Sequence, residues 1–148
     1  MQIVACSKCG SNNRVDESRL SEAKCGRCGE KLQADQHSKP AVITDQTFES
    51  EVLQSKGQPV LVDCWAPWCG PCRIIGPIMD QLAAESHGQY RIAKLNVDDN
   101  PQTASRFQIA SIPTMLIFKD GKLIDRIIGA HPKQTIAERL QVATRFAA

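Results

Sequence analysis

From residue 41 onward the apolar positions of this chain recur at strand or helix spacing; before it they are scattered. Ala41-Val42-Ile43 predicts a short strand. Phe48, Val52 and Leu53 then follow at helical spacing, with Thr44 or Asp45 placed to cap the first turn. Pro59 to Ala66 is a largely apolar run too short for a helix, which predicts a strand buried on both faces. Ile75, Ile78, Met79 and Leu82 fall at i, i+3, i+4 and i+7 and predict a helix. Pro77 lies inside it and should kink it, because proline removes the bond to the Arg73 carbonyl. Tyr90 to Val97 reads as another strand. Asp99-Asn100-Pro101 then reads as a cap-and-proline helix start leading through Phe107. Met115 to Phe118 and Lys122 to Ile128 flank Lys119-Asp120-Gly121, a hairpin signal. A last helix starts near Pro132 and buries Ile136, Leu140 and Ala143. The order β-α-β-α-β-α-β-β-α predicts an α/β fold: a mixed central sheet with helices on both faces.

Residues 1–33 carry four cysteines but only the scattered aliphatics Ile3, Val4, Val15, Leu20 and Leu32. A segment that short cannot bury enough apolar surface to fold alone and needs a metal or disulfides. Residues 34–40 are polar and end in proline, as a linker does. The expected organisation is a module at 1–33, a linker at 34–40 and a domain at 41–148.

Composition changes this picture little. Of the 148 residues, 42% are hydrophobic and 23% charged, and the formal net charge of +2 builds no strong field for nucleic acid or anionic membrane. There is no charged-then-apolar N-terminal stretch and no apolar run near membrane-spanning length, so a cytoplasmic protein is expected. The cysteines change it more. Seven are present, as three Cys-x-x-Cys pairs plus Cys64. Without a signal peptide, that usage points to metal and redox chemistry in a reducing compartment.

Cys69-Gly70-Pro71-Cys72 lies between the predicted buried strand and the helix that follows. Cys69 is thereby set at a helix N-terminus, where unpaired N–H groups and the helix dipole favour a thiolate, the attacking form in disulfide exchange. Cys72, three residues on, can close on Cys69 and resolve a mixed disulfide. Half a zinc site or a structural disulfide is the competing reading, and the strand-then-helix context weighs against it. Asp63 sits inside the apolar run. Desolvation there would raise its pKa and make it a proton acceptor and donor for Cys72. The alternative is a strand-end carboxylate satisfied by backbone N–H groups. Cys64 should face away from Asp63 and serve as a small core hydrophobe.

Cys6-x-x-Cys9 and Cys25-x-x-Cys28 are separated by fifteen residues. Gly10 and Gly29 permit a tight turn after each second sulfur. Four thiolates so spaced suit one structural Zn²⁺ with no open coordination position; two disulfides or a second redox pair are the alternatives. Lys8, Arg14, Arg19, Lys24, Arg27 and Lys31 give the module a basic look. Residues 1–40 hold seven Lys/Arg and five Asp/Glu, a balance of +2, which four thiolates around one Zn²⁺ (−2) cancel. No nucleic-acid partner is expected.

With these residues in view, the segment Val62-Asp63-Cys64-Trp65-Ala66-Pro67-Trp68-Cys69-Gly70-Pro71-Cys72 resembles the active-site segment of the thioredoxin family. Ser111-Ile112-Pro113-Thr114 resembles that family's cis-proline loop, and Lys119-Asp120-Gly121 its hairpin. The resemblance implies the thioredoxin fold over 41–148, with Cys69 as nucleophile, Cys72 as resolving thiol and Asp63 as buried acid/base. It also implies a cis bond before Pro113 and a substrate surface at Trp68, Gly70, Pro71, Ile112, Pro113, Gly129 and Ala130. Lys94 matches a family lysine near the buried acid. Two departures are Cys64, where an aromatic is usual, and Arg73, where lysine is common. His37, His87 and His131 match no catalytic or ligand position. With its four-cysteine module the whole chain resembles the bacterial zinc-binding thioredoxin 2 type. That resemblance implies a monomeric protein disulfide reductase acting on oxidised proteins and recharged by an NADPH-dependent thioredoxin reductase. The redox-active Cys69–Cys72 disulfide and one zinc are its implied prosthetic elements, with no bound organic cofactor. An oxidase or isomerase of the same fold is disfavoured by Gly70-Pro71, since a histidine there would make the disulfide more oxidising. A binding module with little turnover is the third reading.

Overall fold

In the computed structural model, which describes residues 2–6, 8–16, 23–30, 32 and 39–145, a five-stranded sheet follows the order β3-β5-β4-β6-β7. Its strands are β3 (Ala41–Val42), β4 (Val60–Trp65), β5 (Arg91–Asn96), β6 (Thr114–Lys119) and β7 (Lys122–Ile128). The β3, β5 and β4 strands run parallel, while β6 is antiparallel to β4 and β7 to β6. Helices α1 (Cys72–Glu85), α2 (Pro101–Arg106) and α3 (Lys133–Thr144) complete the domain. A separate antiparallel ribbon is formed by β1 (Gln2–Ala5) and β2 (Asn12–Val15). Leu20, most of the expected linker, Arg19, Lys31 and His37 lie outside the described residues.

The sheet is packed on both faces, as the unbroken apolar runs of β4 and β6 require. On one side Leu61, Met115 and Ile117 meet Ile75, Met79 and Leu82 of α1 and Ile136 and Leu140 of α3. On the other, Val60, Val62, Cys64, Leu95 and Leu116 pack with Ile43, Phe48, Val52 and Phe118. Because strand side chains alternate, Asp63 shares the face of Leu61, the one that α1 covers, while Cys64 faces the opposite core. Pro77 lies inside α1 without ending it. At the β6–β7 hairpin both Asp120 (φ 50°) and Gly121 (φ 82°) are left-handed. A Cβ on Gly121 would come within 2.6 Å of the Leu53 carbonyl oxygen, so only glycine fits.

Two helix starts differ from expectation. The segment after Thr44 makes one wide turn over Glu49–Leu53, in which the Gln54 N–H donates to the Glu49 carbonyl at 2.9 Å. Thr44 instead closes the turn that leads into it: the Thr47 N–H donates to Thr44 Oγ1, and the Thr44 N–H to Thr47 Oγ1. Ser50, Val52, Ser55 and Gly57 are weak helix formers, so the turn does not propagate. At α2, Asn100 occupies the cap position, yet its side chain accepts the Asp45 N–H and donates to the Asn96 carbonyl. Asp45 supplies the cap from a distant segment, accepting the Thr103 N–H at 2.8 Å, the Thr103 hydroxyl at 2.7 Å and the Gln102 N–H at 3.3 Å. A carboxylate there also opposes the positive end of the helix dipole. Asp45→Ala is therefore expected to lower the melting temperature by a few degrees in a thermal scan, while Asp45→Asn, which keeps an acceptor, loses less.

Candidate functional site

The β4 strand runs buried to its carboxyl end and releases the chain into Ala66-Pro67-Trp68-Cys69. Cys69 lies three residues before α1, which begins at Cys72 with Pro71 as its cap. It is thus ahead of the helix rather than in its first turn, because Gly70 and Pro71 form the turn that aims the chain into α1. The thiol position still reads the helix terminus: the Cys72 N–H donates to Cys69 Sγ at 3.2 Å. Such a bond favours negative charge on sulfur. Cys69 and Cys72 form a disulfide, with Cα atoms 5.3 Å apart, and both are buried.

Pro113 follows a cis peptide bond, and the Ile112 carbonyl oxygen lies 3.7 Å from Cys69 Sγ. The Gly129 N–H donates to the Pro113 carbonyl at 2.9 Å, so the segment leading to Ala130 is tied to the same loop. Gly70 and Pro71 are exposed. Trp68 is 69% exposed and its indole N–H donates to Asp98 Oδ2 at 2.9 Å. Sequence reasoning missed Asp98, whose partner lies 30 residues away with no local signal. It also passed over Ile74, 63% exposed on α1. The signal for Ile74 was present, since this isoleucine falls outside the i, i+3, i+4, i+7 set that faces the core.

Asp63 is 1% exposed, and neither of its carboxylate oxygens has a hydrogen-bond partner among the described residues. The backbone-satisfied alternative is therefore not what the fold provides. Burial pushes its pKa up to about 7, against the opposing pull of Lys94. Lys94 pairs with Asp63 across the β4–β5 ladder, and its ammonium lies 5.0 Å over the Trp65 ring. Cys64 is fully buried and burial, with Asp63 adding to it, pushes its thiol up to about 12, which keeps it a neutral core group.

The second cysteine centre is built from two matching knuckles. In the first, the Gly10 N–H donates to the Cys6 carbonyl and the Cys6 N–H to the Ser11 carbonyl. In the second, the Gly29 N–H donates to the Cys25 carbonyl and the Cys25 N–H to the Glu30 carbonyl. Gly10 and Gly29 take φ of +76° and +77°, the left-handed turns that the glycines were expected to allow. Val15 and Leu32 pack beside the buried Cys6 and Cys25, a small core for so many residues.

All four sulfurs lie within 4.8 Å of one another, with Cys6–Cys28 and Cys9–Cys25 each at 3.6 Å. A tetrahedron with Zn–S bonds of about 2.3 Å has edges of about 3.8 Å, so the set fits zinc. The sulfurs also differ in proton affinity. The Cys28 and Arg27 amides pull Cys25 down to about 6. Cys28, despite the Glu30 amide, is pushed up to about 12 by desolvation and the three neighbouring sulfurs. Four thiolates at this spacing repel one another unless a cation sits among them.

Residues 39–142 match the family model for thioredoxin. The chain belongs to the thioredoxin family. Residues 5–30 match a second model, described as the N-terminal domain of thioredoxin 2. Among curated relatives, the chain is 50% identical to thioredoxin 1 of Nostoc sp. over 104 residues, 70% of this chain and 96% of that one. It is 54% identical to thioredoxin 2 of Chlorobaculum tepidum over 97 residues, 66% of this chain and 88% of that one. With the chloroplastic thioredoxin M-type of Chlamydomonas reinhardtii it shares 50% identity over 99 residues, 67% and 70% of the two chains. As a thioredoxin with a Cys69–Cys72 disulfide, the protein is a thiol–disulfide reductase, and its N-terminal four-cysteine cluster is a zinc-ribbon module. No helix of the described residues is long and apolar enough to cross a membrane.

Proposed function

We propose that Cys69 is the nucleophile, Cys72 the resolving thiol and Asp63 the proton acceptor of a general protein disulfide reductase. The observation that carries this assignment is the Cys72 N–H donating to Cys69 Sγ, which singles out Cys69 as the sulfur stabilised as thiolate. In the reduced enzyme the Cys69 thiolate attacks a substrate disulfide. A mixed disulfide forms and one substrate thiolate leaves. Asp63 takes the Cys72 proton, the Cys72 thiolate attacks Cys69 Sγ, and the second substrate thiolate departs. The enzyme is left with the Cys69–Cys72 disulfide, and two electrons and the protons restore the dithiol.

Oxidised proteins bind on the surface of Trp68, Gly70, Pro71, Ile112, Pro113, Gly129 and Ala130, to which we add Ile74. Trp68, Gly70, Pro71, Ile74 and Ala130 are exposed around the half-buried Ile112 and Gly129 and the buried Pro113. Such an apolar platform beside a backbone edge accepts extended peptides with little sequence choice. The electrons come from an NADPH-dependent flavoprotein thioredoxin reductase, the enzyme works in the cytoplasm as a monomer, and it needs no bound organic cofactor. Cys6, Cys9, Cys25 and Cys28 hold one Zn²⁺, which supplies the folding energy of residues 1–33. Residues 34–40 link this module to the reductase domain at 41–148.

The test is a coupled assay with thioredoxin reductase, NADPH and insulin, run on the full chain and on the 41–148 fragment. Both are expected to reduce insulin, because the two core clusters of the reductase lie within that fragment. Chelation of the full chain is expected to release one zinc per chain and unfold the module. A fragment that folds but does not turn over would refute the independence of the two parts. A module that keeps its fold after chelation would remove zinc from its folding account.

A further inference from the structure

The two cysteine knuckles share the same pair of backbone bonds, and among the described residues one side chain bridges them. Asn13, on β2, is half-buried beside the cluster. Its Nδ2 amide donates to the Ser11 carbonyl at 3.0 Å, and that carbonyl also accepts the Cys6 N–H at 2.9 Å. Its Oδ1 accepts the Gly26 N–H at 3.0 Å, inside the second Cys-x-x-Cys turn. One amide therefore bridges both knuckles. Gly26 is 13 residues from Asn13 in sequence, so the bond joins two separate turns of the chain.

We infer that Asn13 is a positioning residue of the metal centre: it fixes the second knuckle against the first. Donating to the Ser11 carbonyl while accepting from Gly26 takes a carboxamide. A carboxylate accepts from Gly26 but cannot donate to Ser11, and alanine does neither. Gly26 follows Cys25 directly, and the Cys25 sulfur accepts the Arg27 N–H at 3.4 Å, so the tie at Gly26 holds the turn that orients this ligand. This inference rests on the zinc reading of the four cysteines.

The experiment uses full-length protein and four forms: the parent, Asn13→Ala, Asn13→Asp and Asn12→Ala. Zinc affinity is read by competition with a chromophoric chelator. Co²⁺ is then loaded in place of zinc, and its ligand-field bands, which report the geometry of the four sulfurs, are recorded. Asn13→Ala is expected to weaken zinc binding about 10–100-fold, the usual effect of losing a group that orients a metal ligand. The ligand-field bands should shift, because the second pair of sulfurs is no longer held against the first. Asn13→Asp keeps the acceptor for Gly26 but loses the donor to Ser11, should show a shift of the same bands, and carries the test if the alanine variant does not fold. Asn12→Ala, on the same strand, should leave affinity and band as in the parent. Affinity within twofold of the parent in both Asn13 variants would overturn the inference. So would weaker binding with no band shift, or an equal loss in Asn12→Ala. A parent that takes up no zinc would instead overturn the zinc reading itself.

Discussion

Cys69→Ser is expected to abolish disulfide reduction, whereas Cys72→Ser should leave a protein that attacks its substrates once and cannot let them go. The asymmetry follows from the position of the pair. Cys69 Sγ accepts the Cys72 N–H, which favours its thiolate, and it faces the loop whose Ile112 carbonyl lies 3.7 Å away. Cys72 is the first residue of α1 and is buried like Cys69. In the proposed mechanism, losing the Cys69 sulfur removes the attacking atom, so turnover should fall to the uncatalysed rate. Losing the Cys72 sulfur removes the neighbouring thiol that displaces substrate from Cys69. The check is non-reducing electrophoresis of each variant after exposure to an oxidised protein, with mass spectrometry of the adduct. Adducts are expected on Cys69 in Cys72→Ser; adducts trapped on Cys72 in Cys69→Ser would reverse the roles.

Asp63→Asn is expected to make the fold more stable at neutral pH and to slow the enzyme. In the native protein the carboxyl holds its proton to about pH 7, while its ordinary value is 3.8. Below about pH 4 both folded and unfolded chains are protonated there, and the buried acid carries no penalty. As pH rises from about 4 to 7 the unfolded chain releases that proton and the native chain keeps it, so native stability falls. Above about pH 7 both are ionised and the full penalty stands. A difference of about 3 pH units corresponds to about 4 kcal/mol. Asparagine cannot ionise, so its advantage over the parent should be near zero at about pH 4 and reach up to about 4 kcal/mol at about pH 8. Urea unfolding of oxidised parent and variant at the two pH values measures it. The same substitution removes the proton acceptor proposed for Cys72, and reduction should slow most visibly near neutral pH. A stability gap equal at the two pH values would show that Asp63 has an ordinary pKa. Unchanged turnover from about pH 6 to 9 would show that it moves no proton for Cys72.

Much of this fold is legible in the apolar pattern of the chain. The strands at Val60–Trp65, Arg91–Asn96 and Thr114–Lys119 fall where the apolar runs predict them, within a residue or two. So do α1 and α3. The legible elements are those whose side chains face a core along their length, since periodicity records burial. Elements that depend on distant partners are less legible. Nothing near Pro101 announces that Asp45 caps α2, and the Thr44 segment reads as a helix although it closes as one wide turn.

The candidate site divides in the same way. Sequence alone determined which chemical groups stand together: two sulfurs three residues apart after a buried strand, a carboxylate inside that strand, and two Cys-x-x-Cys pairs fifteen residues apart. These are local facts, because residue spacing along a strand or turn fixes which groups can meet. Tertiary structure decided what surrounds them. Packing of α1 over β4 leaves both Asp63 oxygens without partners among the described residues, and the fold brings the Ile112 carbonyl to Cys69, Asp98 to Trp68 and Gly129 to Pro113. In the small module it placed Asn13 between two knuckles that the sequence presents as independent repeats. Such contacts join segments far apart in the chain, and their geometry is set by how whole elements pack, which no local pattern of residues encodes.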